Sequence, residues 1–317
     1  MKDSQPKPPL RDVEYPVTVT INLPPSIPAK RTGLELWMNR VSEMADKLED
    51  GWDSDGVHDL RVALRRCRTM ADALSEVNPS PSWKKLKKST RDLFQALGEL
   101  RDTQVAKQWV KKLGGAKDPV RRSLLKVLDE TEEHQQKIAE KALAQFDRKD
   151  WRKWSRKFPA KAEFFPAESV VFQRLALIKL NQAVDLYQRA KKVRSGAAWH
   201  RLRIGLKEFR YILENFLPER YERSSKELKR MQDILGEVHD LDVLRPLVRK
   251  QAAGMDPEII GDWIARIEKE RKDRLEEFRT KSIDKESYWV FWHKGLQWGH
   301  NLKTVSPPEL QQVYSAS

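Results

Sequence analysis

From Gly33 onward, apolar residues recur every three or four positions, the period of helices with one buried face. In "HDLRVALRRCRTMADAL", starting at His58, a turn of ~100° per residue groups Leu60, Leu64, Cys67, Ala71 and Leu74 on one arc. His58, Arg61, Arg65 and Arg68 fall on the opposite arc. The stretch "WHRLRIGLKEFRYILENF" from Trp199 repeats both arcs at an offset of 142 residues (200 minus 58). There the apolar arc is Leu202, Leu206, Phe209, Leu213 and Phe216, and the basic arc is His200, Arg203, Lys207 and Arg210.

Breaks at "EDGWDSDG", "NPSPS", "GGAKDP" and "FPAKAEFFPAE" bound four helices in a first half, residues 31–160. Those at "RSGAA", "FLPER" and "AAGMDP" bound a second half, residues 161–285, that ends in a long helix from Pro257 to about Lys281. The expected fold is all-α, with two four-helix bundles formed by an internal repeat. Residues 1–30 read as an extended proline-rich arm, with "VTVTI" at Val17 to Ile21 as a short strand. Residues 286–317 form an aromatic tail, in which "YWVFWHKGLQWGH" is expected to lie on the bundle.

The next helix of each half is also two-faced. Lys84, Lys87, Lys88 and Arg91 share one side, with Leu86, Leu93 and Leu97 opposite; the counterparts are Lys226, Lys229 and Arg230, with Asp233 in the fourth place. Further on, "LGELRD" (Leu97 to Asp102) matches "LGEVHD" (Leu235 to Asp240), the second copy being four residues shorter, and the shortening is assigned to the connector. In each copy the glycine is expected to end one helix and Asp102 or Asp240 to cap the next. Asp72 and Glu214 interrupt the basic stripes and are expected to pair with a cation one turn away, orienting it.

Charge changes the picture most. The net charge of +14 and a pI near 9.7 favour polyanionic partners such as nucleic acid, polyphosphate or anionic lipid. Like charges at i, i+3 and i+4 repel by a few tenths of a kcal/mol per pair, so ordinary wet helix faces mix signs; here four cationic or potentially cationic positions line up in each lead helix, which points to a bound anion. Arginine also offers a planar donor fork suited to phosphate oxygens. Hydrophobic content of 39% and eleven tryptophans support a packed core. Cys67 is the only cysteine, which excludes an intrachain disulfide and a thiolate metal site and suits a reducing compartment. No signal-like leader and no run of ~18 apolar residues occurs, so the expectation is a protein without a membrane span, in the cytoplasm.

Two copies of His-x2-Arg-x3-Arg/Lys-x2-Arg, each followed by "LGE", resemble the conserved histidine α-helical domain family, CHAD, over about residues 31–282. The resemblance implies two four-helix bundles with pseudo-twofold symmetry around a central basic cleft that binds inorganic polyphosphate, and with it association with polyphosphate granules. The implied binding residues are His58, Arg61, Arg65, Arg68, His200, Arg203, Lys207 and Arg210 on the lead helices. Lys84, Lys87, Lys88, Arg91, Lys226, Lys229 and Arg230 come from the partner helices, and Arg101 and His239 extend the cleft. Arg66 fits the family's paired basic residues, but Glu208 stands in its place in the second copy, so that pair is left out.

Two rival functions stand beside this one. RNA or another nucleic acid could be the polyanion, but the basic arcs carry almost no aromatic platform, Tyr211 being the exception. A metal-dependent phosphohydrolase could use His58-Asp59 and His239-Asp240, yet Asp59 points ~100° from His58 and the surrounding charge repels a metal ion. No nucleotide-binding loop, nucleophile elbow or zinc motif is present, so no catalytic residue, cofactor or metal is assigned.

Overall fold

The structure is a computed structural model that describes residues 33–251, 256–282 and 288–297. The predicted arm with its strand, and the tail beyond 297, lie outside the described residues. Those described form eleven helices and no strand. They are α1 (Leu34–Asp50), α2 (Ser54–Val77), α3 (Pro81–Ser89), α4 (Arg91–Leu113), α5 (Pro119–Ala144), α6 (Arg148–Ala162), α7 (Val170–Val193), α8 (Gly196–Phe216), α9 (Pro218–Gln251), α10 (Pro257–Ser282) and α11 (Tyr288–Gln297). None is long and apolar enough to cross a membrane.

The helix starts follow the local chemistry. Asp53 caps α2 by accepting from the Gly56 amide, Ser80 caps α3 with Pro81 as its first residue, and Ser195 caps α8 by accepting from the Ala198 amide. These caps leave His58 and His200 at the fifth residue of their helices. The apolar arcs of α2 and α8 are fully buried, Leu60, Leu64, Leu202 and Phe209 among them. Successive helices pack in the order α1, α2, α3/α4, α5 and again α7, α8, α9, α10.

Two elements depart from four helices per half. The expected single helix from Pro81 breaks at Thr90, and α6 follows α5 before the second half begins. α6 covers α1, with the Trp151 indole donating to the Met38 carbonyl at 2.9 Å and Trp154 stacked on Phe158. The start of the aromatic tail does the same for the second half: Trp289 stacks on Tyr187 and Trp292 lies against Phe209. Trp151 and Trp289 are 138 residues apart, as are Trp154 and Trp292, the offset that also separates Gly98 from Gly236.

One core cluster joins α4, α5, α9 and α10 through Trp109, Leu124, Leu241, Leu244 and Trp263. The Trp263 indole donates to both carboxylate oxygens of Asp118, the cap of α5, at 3.0 and 2.8 Å. Gly114 permits this approach, because a Cβ there would stand 2.5 Å from the Trp263 ring and 2.9 Å from Arg121 Cβ. Gly114→Ala is therefore expected to lower stability by about 1–3 kcal/mol, the usual cost of overpacking, in denaturant unfolding; an unchanged midpoint would mean that the ring moves aside freely.

Candidate anion site between the lead helices

α2 and α8 pack against one another and bring their basic arcs together. Burial depresses the basicity of the Arg61, Arg65 and Arg203 guanidinium groups. Arg203 lowers Arg61 further, and Arg65 lowers Arg203. Lys207 is pushed down to about 7, first by burial and then by Arg203, Arg65 and Arg61. The four cations from two helices thus form one cluster. Tyr211 sits among them as a buried plate, its ring 5.7 Å from the Arg65 guanidinium and 5.8 Å from that of Arg66.

Sequence spacing misplaces the two LGE glycines. Gly98 lies inside α4 and Gly236 inside α9, so neither ends a helix and neither following aspartate caps one. Each glycine is covered instead by a lead-helix arginine: a Cβ on Gly98 would stand 3.4 Å from Arg61 Nη2, and one on Gly236 would stand 3.9 Å from Arg203 Nε. One turn on, Asp102 acts on Arg61 and Asp240 on Arg203, as the main acidic charges facing those guanidiniums. Burial raises the Asp240 carboxyl to about 6, against the pull of Arg203 and a hydrogen bond from Trp109.

The histidines differ between the halves. His200 Nδ1 lies 3.1 Å from His239 Nδ1, so only one ring can carry the proton between them. His239 is pushed down to about 4 by burial, then by Arg203, His200 and Lys207. Arg101 stands at the place equivalent to His239 and, after burial, is the largest influence lowering His58. Arg101 also donates to Ser54 Oγ at 3.1 Å. Burial and the neighbouring cations outweigh the opposite pull of Asp59 on His58 and of Asp242 on His200, so both lead histidines are held neutral near pH 7 while no anion is bound.

Sequence comparison matches residues 36–249 to the CHAD domain. The chain belongs to the CHAD family. Its structure is similar to the crystal structure of the CHAD domain from the plant Ricinus communis, at a TM-score of 0.54 and 21% identity, covering 83% of this chain and 89% of that one. It is also similar to PptA from Streptomyces chartreusis, at a TM-score of 0.55 and 12% identity, covering 85% and 100%. No curated protein sequence matches.

Several expected ligands in this CHAD chain are engaged by the protein itself. Arg68 Nη1 donates to the Lys87 carbonyl at 2.6 Å and to Thr90 Oγ1 at 3.0 Å, holding the chain at the α3–α4 break. Arg68 and Arg61 both lie over the Phe94 ring, at 5.0 and 5.3 Å. Arg210 donates to Gln232 Oε1 at 2.9 Å, and Gln232 in turn donates to the Leu206 carbonyl. Arg66, left out of the expected set, is the most buried of these arginines and is paired with Glu214 of α8. Glu214 also reaches Arg210, one turn back, at 3.4 Å, whereas Asp72 pairs across to Lys87 of α3 rather than along its own helix.

The partner-helix cations disperse. Lys84 and Lys88 are exposed on α3, while Arg91 falls beyond the break, on α4, and pairs with Asp92. Lys226, Lys229 and Arg230 line a groove of about 470 Å³ between α9 and α10 together with Asp233, Glu237, Arg274 and Glu277. Arg230 is 3.2 Å from Glu277, so the groove carries mixed charge. The 138-residue offset between Gly98 and Gly236 sets Lys226 and Lys229 opposite Lys88 and Arg91, one turn from the expected pairing. Among the described residues no cluster of three or more histidine, cysteine or acidic side chains could hold a metal ion. Asp240 of the second His-Asp dipeptide is spent on Arg203 and Trp109.

Proposed function

We propose that the chain binds inorganic polyphosphate, without chemically altering it, at the cluster of Arg61, Arg65, Arg203 and Lys207, and that this binding docks it on polyphosphate in the cytoplasm. The observation that carries the reading is that the Nε groups of Arg61, Arg65 and Arg203 are buried with no hydrogen-bond partner among the described residues. Unpaired buried donors on mutually repelling cations are costly, and phosphate oxygens would satisfy them while neutralising the charge. The family is known for polyphosphate-related proteins. Against nucleic acid, the two aromatic faces nearest the cluster, Phe94 and Tyr211, are already occupied by guanidinium groups and have little room to stack bases.

The direct test is calorimetric titration with long-chain polyphosphate across a salt series, with RNA of equal charge as competitor. Steeply salt-dependent binding that RNA displaces poorly, with no orthophosphate released, is the expected outcome. Equal competition by RNA would assign the site to polyanions in general, and phosphate release would make the protein an enzyme.

The pH dependence has a definite sign. Lys207 titrates near 7 without ligand, and a phosphate beside it raises that value, so binding takes up a proton. The histidines contribute in the same direction at lower pH. Affinity is therefore greatest in mild acid and falls as pH rises through 7, by on the order of tenfold between pH 6 and 8 at fixed ionic strength. Proton uptake, read as a buffer-dependent binding enthalpy, should disappear largely in Lys207→Met.

A further inference from the structure

A second cationic surface lies outside the cluster. On α6, Lys149, Arg152, Lys153, Arg156 and Lys157 are exposed on the side opposite the buried Trp151, Trp154 and Phe158. None of the five forms an ion pair among the described residues, and together they line a shallow groove of about 350 Å³. With Lys161 the ridge runs about 18 Å along the helix at 1.5 Å per residue. Asp150 stands near its start, Glu163 follows its end, and Glu35 and Glu43 border Arg152 and Arg156 on the α1 side. Arg148 ties the start of α6 to Asp46 and Glu49 of α1, whereas the five exposed cations take no part in that packing or in the lead-helix site.

The ridge is joined to the cluster by contacts. Arg68 of α2 donates to the Lys87 carbonyl in the last turn of α3. The Lys85 ammonium of α3 sits 4.7 Å over the Trp154 ring of α6, and Lys161 of α6 donates to Ser82 of α3 at 2.8 Å. Exposed Lys84 and Lys88 lie on that bridge. We propose that α3 and the outer face of α6 form a second, outer track for the same polyphosphate chain, so that a long polymer held between α2 and α8 continues over α3 onto α6. This rests on the polyphosphate reading of the lead-helix cluster.

The occupant follows from the chemistry of the surface. Between Lys149 and Lys161 the exposed side chains are cationic or small and include no large apolar group, as a phosphate polymer requires and as an inserting membrane helix would not. A flexible chain needs no fixed register on such a ridge, and the gain is one of avidity. Short oligophosphates fill the cluster alone, whereas long chains engage both surfaces.

The test compares the parent with Arg152→Gln/Lys153→Gln/Arg156→Gln/Lys157→Gln, substitutions that keep helix propensity. A control with the same charge removed from α9 and α10 is Arg249→Gln/Lys250→Gln/Lys269→Gln/Lys272→Gln. Each is titrated with tripolyphosphate, with long-chain polyphosphate and with anionic phosphatidylserine vesicles. The expected result is long-chain affinity at least about tenfold weaker, with a shallower salt slope, in the α6 variant alone, and unchanged tripolyphosphate binding in all three proteins. Equal long-chain affinity in parent and α6 variant overturns the proposal. So does an equal loss in the control, or vesicle binding that the α6 variant alone loses while long-chain binding stays intact. If the parent binds neither phosphate species, the function proposed for the lead-helix cluster fails instead.

Discussion

Arg61→Ala/Arg203→Ala is expected to weaken long-chain polyphosphate binding on the order of a hundredfold or more while leaving the fold intact. Each arginine supplies a charge-assisted donor set of about 1.5–3 kcal/mol, and the two stand at corresponding places over Gly98 and Gly236. Both are buried cations that repel each other and lose basicity through burial, so their removal relieves repulsion in the free protein while the acids that face them, Asp102 and Asp240, lose a partner. Unfolding midpoints should shift little as affinity collapses. Calorimetry over a salt series should also give a shallower slope, because fewer counterions are released. Retained affinity with an unchanged slope would take these arginines off the ligand. Arg61→Lys/Arg203→Lys should fall between the two, keeping charge but losing the fork that spans two phosphate oxygens.

The largest effect on stability is expected at a residue that binds nothing. Among the described residues Glu214 is the one carboxylate paired with both Arg66 of α2 and Arg210 of α8, and its pair with Arg66 has side-chain exposures of only 15% and 10%. Glu214→Ala leaves two cations inside an already positive interface, at a cost of about 3–5 kcal/mol. Urea unfolding would measure it. Replacing both members of the main pair, as in Arg66→Met/Glu214→Leu, should recover most of the loss, since apolar groups of similar volume need no partner. If the double variant is no more stable than Glu214→Ala, the pair is not what joins α2 to α8. The acid thus holds the two basic helices close enough for their other cations to share one anion.

Much of this was readable in the chain. The apolar arcs of α2 and α8, their duplicated basic arcs and most breaks between helices follow from periodicity and from turn residues, because both signals are local. What failed was whatever depended on a neighbour. Gly98 and Gly236 look like helix ends, yet both lie inside helices beside an arginine from another helix. Arg68 and Arg91 appear to belong to one binding surface, but Arg68 is committed to the α3–α4 break and Arg91 lies beyond it. The aromatic stretch lies on the bundle as expected, but as a helix in which Trp289 and Trp292 repeat the spacing of Trp151 and Trp154.

The sequence by itself determined an all-helical chain with two sets of two-faced helices and a surplus of positive charge, because helical phase and net charge are properties of residue order. Only the tertiary structure decided which cations stay unpaired. Arg66, Arg68 and Arg210 each reach an acceptor within the protein, although Nε of Arg66 and Arg210 stays unbonded, while Arg61, Arg65 and Arg203 converge with their buried Nε groups unbonded, since hydrogen bonding and repulsion are settled by distances between helices that no single helix encodes.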